Sequence, residues 1–199
     1  MPKEISHQKI VELVVKKTPW IRKKLEYAAS LTPPRLLDFE NGDPIPYLGK
    51  TYCLKVQVGD YPHVELVGED ILVSVVKQHL TNSLHIQLVL ERWFLDEAAI
   101  LLAERLDFYA PIVGVRPTGM QVKAFKARWG SCKMDGQIQF NWRLIHGPVD
   151  VLDYVVVHEL AHLREMNHSP AFWKVVADIL PDHLERRKAL QKENLANWA

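Results

Sequence analysis

The chain has 199 residues, 48% of them hydrophobic and 25% charged, which suffices for one well-buried core and is too short for three domains. Its 25 Lys and Arg residues nearly balance 24 Asp and Glu residues, so a net charge of +1 gives no global field that would draw the chain to nucleic acid or an anionic membrane. Two distant cysteines, Cys53 and Cys132, exclude a disulfide scaffold and a four-cysteine zinc module. Because the N-terminal sequence is polar and no apolar run approaches the ~18 residues of a membrane span, we expect a reduced, cytoplasmic protein that does not contact membranes.

The N-terminal part is predicted to hold helices followed by a small β region. Apolar spacing predicts helix through the first thirty residues, and Pro19 is suited to open a second helix within them. Pro33 and Pro34 are expected to end that helix. Alternating apolar and polar residues then predict short strands at residues 52–58, 64–67 and 71–75.

A long helix and a short sheet are predicted next. Helical periodicity runs from about Ser83 to Tyr109 and is expected to stop before Pro111. Strands are predicted at residues 120–125 and 138–142, and Asp135-Gly136 between alternating runs indicates a β-hairpin. The rest is predicted to be helical, so the fold class is α+β, with a small N-terminal β region, a long helix, a short mixed sheet and C-terminal helices.

Three of the nine histidines fall within eleven residues, at 158, 162 and 168. An apolar helix capped by Asp150 is predicted to carry His158 and His162. Four residues apart, these two share a helix face, so both imidazoles can reach one tetrahedral zinc ion. Glu159 lies about 100° further round the helix, where a carboxylate can hold a metal-bound water without ligating the metal. The alternative is a chance motif with solvated histidines; the apolar run before the motif argues against it, because that run buries the helix and its polar groups then need partners.

A third ligand at His168 requires the helix to end and the chain to double back. On a continuous helix His168 would lie roughly 9 Å along the axis from His162. Asn167 can adopt the left-handed conformation that closes a helix, and we expect the turn at Met166-Asn167. Ser169-Pro170 then has the chemistry of a helix cap followed by proline at the first helical position. Ligand geometry and capping chemistry therefore predict the same break.

These segments together resemble the YgjP-like metallopeptidase family, which is related to the SprT-like and other zincin peptidases. The resemblance extends from about residue 40 to residue 190 and is carried by the sequences Ile45-Pro46-Tyr47-Leu48-Gly49-Lys50, Arg128-Trp129-Gly130-Ser131-Cys132, Ile138-Gln139-Phe140-Asn141, Leu144-Ile145, His158-Glu159-Leu160-Ala161-His162, Asn167-His168-Ser169, Phe172-Trp173 and Leu180-Pro181-Asp182.

The resemblance implies a zincin-like fold in which His158, His162 and His168 bind zinc and Glu159 is the general base. Residues 1–80 would form an N-terminal helix with a small β region, and residues 81–199 the metal-binding catalytic domain, unless the two make one compact unit. The ligand spacing is also that of the metzincins, but Glu165 stands where those enzymes have glycine and disfavours a positive φ. The resemblance does not define the substrate.

The predicted chemistry is hydrolysis of an amide bond. Zinc lowers the pKa of its bound water towards ~7, and Glu159 takes the proton as the water attacks. Imidazole ligands also accept other divalent transition metals. The oxyanion formed in this attack needs a donor, and the candidates are Arg128, Asn141, His146, Tyr154 and His183.

Two other activities remain as alternatives. Some members of the family are described as nucleotide pyrophosphatases, so a metal-dependent pyrophosphatase acting on UTP-type nucleotides is one. The other is a nucleic-acid-associated protein with a structural zinc, for which the basic runs at residues 16–17, 22–24 and 186–188 would provide the contacts; such runs are more often solvated faces.

The hairpin is a candidate substrate surface. Residues 137–141 alternate apolar and polar side chains, so we expect an exposed strand that pairs with an extended peptide, unless it is an ordinary sheet edge. We interpret Gly130 as a close-approach or bulge position and Cys132 as a small buried residue rather than a nucleophile. The peptide or protein substrate and the oligomeric state are left open.

Overall fold

The computed structural model describes residues 6–30 and 37–192. The chain falls into two units, residues 1–35 and residues 36–199. The predicted boundary near residue 80, between an N-terminal region and a catalytic domain, stays a prediction. Among the described residues, no helix has the length and apolar character needed to cross a membrane.

The first unit is described by a single helix, α1 (His7–Ser30). Pro19 lies inside this helix, so the prediction that it opens a second helix is wrong. An interior proline removes one backbone hydrogen bond and crowds the carbonyl four residues before it, and α1 continues through Pro19 despite this local cost. The predicted stop at Pro33 and Pro34 lies outside the described residues.

The second unit begins with a four-stranded sheet at the predicted positions. Its strands are β1 (Pro44–Tyr47), β2 (Lys50–Val58), β3 (His63–Val67) and β4 (Asp70–Val75). Their order is β1-β2-β4-β3, with β2 and β4 parallel and the other pairs antiparallel. A short 3₁₀ helix, Lys77–His79, leads into the long helix α2 (Ser83–Val113).

Helix α2 is the central element of the core. It buries a row of side chains spaced four residues apart, at positions 86, 90, 94, 98, 102 and 106. It runs past Pro111, contrary to the expected stop, and ends at Gly114, whose left-handed conformation (φ 77°) lets its N–H reach the carbonyls of Ala110 and Pro111. A glycine three residues beyond the proline therefore terminates this helix.

The remaining elements form a small mixed sheet and three helices. The strands are β5 (Gly119–Lys123), β6 (Gly130–Cys132) and β7 (Gln137–Asn141), in the order β5-β7-β6. A 3₁₀ helix (Trp142–His146) precedes α3 (Val149–Ala161), α4 (Pro170–Ile179) and α5 (His183–Lys192). The predicted α+β class, with a short mixed sheet and a hairpin at Asp135-Gly136, is confirmed.

Two contacts fix the orientation of α3. The carboxylate of Asp153 accepts hydrogen bonds from Arg105 Nε (2.6 Å) and Nη2 (2.7 Å), which joins α3 to α2. The end of β1 and the β1–β2 turn dock on the 3₁₀ helix before α3, where His146 Nδ1 donates to the Pro46 carbonyl (2.8 Å). Gly49 in that turn has φ 76° and approaches the Pro148 backbone so closely that a Cβ would lie 2.9 Å from its Cα. The segment around Pro46 and Gly49 is therefore structural, and it supports the start of α3.

Candidate metal centre

Helix α3 presents two of the histidines and the glutamate. Its residues from Val151 to Val157 are buried, so its packing fixes where the C-terminal turn points. Pro148 stands at the N-cap position, and Asp150 lies in the first turn rather than capping it. The helix ends at Ala161, with His162 at the C-cap. His158 and Glu159 are thus in the last helical turn, and His162 is at its end.

The chain reverses direction between His162 and the start of α4, as predicted, but not at the predicted residue. Helix α3 ends before the expected turn, and Asn167 does not adopt the left-handed conformation: the described non-glycine residues with positive φ are Phe39 and Leu48. Ser169 caps α4, accepting from the Phe172 N–H (3.3 Å), with Pro170 in the first turn. The capping prediction is confirmed, and His168 immediately precedes the cap.

The reversal brings the three imidazoles together. One ring nitrogen from each of His158, His162 and His168 lies within 4.8 Å of the other two. The Nε2 atoms of His158 and His168 are 3.0 Å apart. Phe172, which is fully buried, lies against all three rings with centroid distances of 4.9, 4.6 and 4.7 Å. Sequence reasoning did not predict this role of Phe172. The cap could have indicated it, because the Ser169 side chain accepts from the Phe172 N–H and so places Phe172 in the first turn of α4.

The surroundings keep His158 and His162 neutral. Burial, together with the neighbouring imidazoles, lowers the pKa of His158 to about 3. Burial also lowers the pKa of His162. His162 Nδ1 lies 3.3 Å from the Glu165 carbonyl, so Nδ1 carries the proton and Nε2 keeps its lone pair. Neutral imidazoles with available lone pairs are the form that binds metal ions.

The donor set fits a divalent transition metal. Tetrahedral zinc with bonds of about 2.0–2.1 Å separates its ligand nitrogens by about 3.3 Å, and the His158–His168 nitrogen separation of 3.0 Å is close to this value. Two ring nitrogens at that distance must share either a proton or a cation. Three imidazoles in one cluster favour the cation, because a single ion can accept a lone pair from each of them.

Glu159 packs against the edge of the small sheet. Glu159 is 5% exposed, and a Cβ on Gly130 would lie 2.6 Å from its Oε1 and 2.9 Å from its Cδ. Only glycine allows this approach, as the sequence interpretation of Gly130 anticipated. Burial raises the pKa of Glu159 to about 8, while the Arg128 charge and a hydrogen bond from the Cys132 backbone act to lower it. The Glu159 carboxyl therefore lies between α3, the helix that carries it, and strand β6.

Of the five candidates for oxyanion stabilisation, two make contacts elsewhere in the fold and three lie near the histidine cluster. The Asn141 amide donates to the carbonyls of Phe125 (3.0 Å) and Arg128 (3.1 Å), which makes it structural. His146 is buried against the β1–β2 turn and does not reach the site. The other three lie near the cluster: Arg128 influences Glu159, the Tyr154 ring is 5.8 Å from the His158 ring, and His183 stacks on Trp173 (6.1 Å).

The prediction that residues 137–141 form an exposed strand that pairs with a peptide is wrong. Strand β7 (Gln137–Asn141) is the central strand, bonded to β5 in parallel and to β6 antiparallel, and it is largely buried. The edge strand beside Glu159 is β6. The hairpin pattern was correctly recognised, but the parallel crossover that covers the other side of β7 cannot be inferred from it. Cys132, on β6, has a thiol whose pKa is raised to about 11 by burial and by Glu159, which excludes it as a ready nucleophile.

Comparison with known proteins identifies the family. Residues 1–193 match the family described as YgjP-like, metallopeptidase domain, and the chain belongs to that family. The chain is a metallopeptidase-family protein, as the resemblance implied. No curated protein matches it.

One solved structure shows a partial likeness. It is the crystal structure of the metallopeptidase zymogen of Pyrococcus abyssi abylysin, which is 20% identical, covers 47% of this chain and 94% of that chain, and has a TM-score of 0.44.

Proposed function

We propose that the chain is a zinc-dependent peptidase in which His158, His162 and His168 hold the metal and Glu159 is the general base. The observation that carries this proposal is the convergence of three imidazoles next to one buried carboxyl. The family supports the peptidase class. Zinc is the ion we propose, because three histidines with one remaining position are a common catalytic zinc set.

Each of these residues has a defined task. A divalent cation held by the three histidines would lower the pKa of its bound water and polarise the substrate carbonyl. Glu159 accepts the proton of the attacking water and returns it to the leaving amine. Because a nearby cation favours the ionised carboxyl, it offsets the burial that raises the pKa of Glu159. Gly130 and the Cys132 N–H hold the carboxyl where this transfer occurs.

We further propose that strand β6 binds the substrate in an extended conformation. It is the edge strand of its sheet, three residues long, and Gly130 on it contacts Glu159. An extended peptide added at this edge would run past the proposed base. Arg128 lies at the start of the same segment, and its charge acts on Glu159, so it is our candidate for stabilising the oxyanion.

The test pairs metal content with peptide hydrolysis. Metal-depleted protein is loaded with zinc, and bound metal and cleavage of a mixed peptide library are measured for the wild type, Glu159→Gln and His162→Ala. We expect one zinc per chain in the wild type and in Glu159→Gln, with hydrolysis reduced 10²–10⁴-fold in Glu159→Gln. In His162→Ala we expect both bound zinc and hydrolysis to be lost. Equal, near-zero zinc in wild type and His162→Ala would refute the proposal, as would hydrolysis that Glu159→Gln leaves intact.

A further inference from the structure

An arginine outside the proposed catalytic set is held beside the histidine cluster. Arg187, on α5, is exposed, and its Cζ lies 5.0 Å from the centroid of the Trp173 ring. The same indole stacks on the ring of His168, with centroids 5.7 Å apart and planes 28° apart. A guanidinium on an aromatic face is favoured electrostatically. The indole therefore joins this cation to one of the proposed ligands.

The charge of Arg187 reaches the site. Burial raises the pKa of Tyr154 and lowers that of His158, and the Arg187 charge acts on both groups, lowering each pKa. Tyr154 and His158 are neighbours, with ring centroids 5.8 Å apart. The guanidinium thus lies on the side of the site where Tyr154, His158 and Trp173 meet.

Helix α5 is fixed in place by a different arginine. Arg186 donates from Nη1 to the Asp150 carbonyl (2.9 Å) and from Nε to the Asp182 carboxylate (2.9 Å). Its side chain is 18% exposed. Arg186 therefore ties α5 to the first turn of α3, and the neighbouring Arg187 is carried on a helix that is anchored to the helix bearing His158.

Arg187 has no anionic partner within the part of the chain that the structure describes. Its contact there is the indole of Trp173, whereas Arg186 donates to a carboxylate and to a backbone carbonyl. A guanidinium next to a centre that binds a divalent cation adds like charge, which is unfavourable for both. A negative group brought by a ligand would relieve this repulsion and use the donors of the guanidinium.

On the basis of the peptidase function proposed above, we propose that Arg187 binds a carboxylate of the substrate close to the scissile bond. A planar guanidinium forms two parallel hydrogen bonds with a carboxylate, and the indole limits its rotamers. The carboxylate has two sources in a peptide: an acidic side chain near the cleaved bond, or the C-terminus of a short substrate. Arg187 is in this account a specificity-determining residue.

The experiment compares matched peptides and matched variants of the zinc-loaded full chain. The peptides are drawn from sequences that the wild type cleaves, each made with Glu or Gln near the cleaved bond and with a free or amidated C-terminus. The variants are Arg187→Gln, Arg187→Lys and, as the control, Lys188→Gln, which removes the same charge from the next exposed position. Bound zinc is measured for each variant.

We expect the wild type to prefer the carboxylate-bearing peptides about fivefold to tenfold in kcat/KM, mainly through KM. Arg187→Gln should lose this preference while keeping its zinc, Arg187→Lys should keep part of it, and Lys188→Gln should behave as the wild type. Preference for Glu over Gln assigns the side chain, and preference for the free acid over the amide assigns the C-terminus. Equal loss in Arg187→Gln and Lys188→Gln, or no preference in the wild type, would overturn the proposal.

A binding measurement separates this proposal from the peptidase function. Fluorescein-labelled alanine-based hexapeptides carrying Glu or Gln at each position, as free acids and amides, are titrated by fluorescence anisotropy into zinc-loaded Glu159→Gln, with and without Arg187→Gln. Carboxylate-dependent binding that Arg187→Gln abolishes supports the proposal even where the wild type cleaves no peptide. Binding indifferent to the carboxylate or to Arg187 contradicts it, even where hydrolysis is robust.

Discussion

The three clustered imidazoles have different surroundings although they would share one ion. His158 is set on a packed helix, His162 ends that helix with its Nδ1 against the Glu165 carbonyl, and His168 is exposed in the segment after it. The two helical ligands are therefore positioned by the core itself. The third depends on the reversal and on the cap of α4, so the geometry of the whole cluster is most sensitive around His168.

The contact between Gly130 and Glu159 gives a prediction at the scale of one methyl group. Gly130→Ala would place Cβ 2.6 Å from Oε1 of Glu159, and the carboxyl must move away. A misplacement of about 1 Å can reduce catalysis about 10²-fold. We expect peptide hydrolysis to fall by at least tenfold in Gly130→Ala while bound zinc stays at one per chain.

The matched control is Gly119→Ala in the same sheet. Apart from its own chain neighbours, no atom of the described residues lies within 4 Å of the position its Cβ would occupy, so its hydrolysis should match the wild type. Undiminished hydrolysis in Gly130→Ala would show that the position of the carboxyl is not critical.

At the scale of elements, the cap of α4 links stability to metal binding. The Ser169 side chain accepts from the Phe172 N–H, and Ser169 adjoins His168. Removing a serine cap costs about 1 kcal/mol of stability. We expect Ser169→Ala to lose about this amount in urea unfolding and, in addition, to bind zinc more weakly, because the cap also orients His168.

Asn82→Ala provides the comparison. Asn82 caps α2 by accepting from the His85 N–H (3.0 Å), on a helix that carries none of the clustered histidines. It should lose similar stability with unchanged zinc affinity. Equal zinc affinity in Ser169→Ala and Asn82→Ala would mean that His168 is held by something other than the cap.

Short sequence patterns predicted which helices and strands form. Contacts between distant residues determine where those elements end and which strand lies at the edge of the sheet. Ser169-Pro170 was sufficient to predict the start of α4, because capping depends on neighbours within one turn. Asn167 was chosen for a left-handed turn that the chain does not make, since α3 already ends at Ala161. The parallel pairing of β5 with β7 joins residues 18 positions apart, such as Gln121 and Gln139. No short pattern encodes such a pairing, so the edge strand was misassigned.

The prolines also show that a local signal does not by itself determine where a helix ends. Pro19 and Pro111 were both expected at helix boundaries, and both lie inside helices. Loss of one backbone hydrogen bond is a local cost. In α2 it is offset by a row of buried side chains over the rest of the helix. The approach of Gly130 to Glu159 was anticipated as a close contact, but its partner lies 29 residues away and was identified only in the fold.

At the scale of the whole molecule, a buried histidine couples stability to pH. Burial lowers the pKa of His146 to about 4 in the folded protein, whereas an unfolded histidine has a pKa of about 6.5. Between these values the unfolded chain binds the proton and the folded chain does not, so the free energy of unfolding falls as the pH decreases from about 6.5 to 4. We expect the loss between pH 6.5 and 4.5 to be up to about 2 kcal/mol from this residue.

Urea unfolding of wild type and His146→Asn at several pH values, both with zinc bound, measures the contribution of His146 to this pH dependence. The difference between the two proteins should shrink as the pH decreases through this range. His158 and Glu159 are common to both proteins and cancel in the comparison. A difference that stays constant with pH would show that folding does not lower the pKa of His146.

The central claim, one cation shared by three imidazoles across a chain reversal, is tested most directly by X-ray absorption at the zinc edge on stoichiometrically loaded protein. The account predicts three imidazole nitrogens at about 2.0–2.1 Å with one further oxygen donor, and two imidazoles in His168→Ala. Coordination by sulfur, or an unchanged imidazole count in His168→Ala, would contradict it.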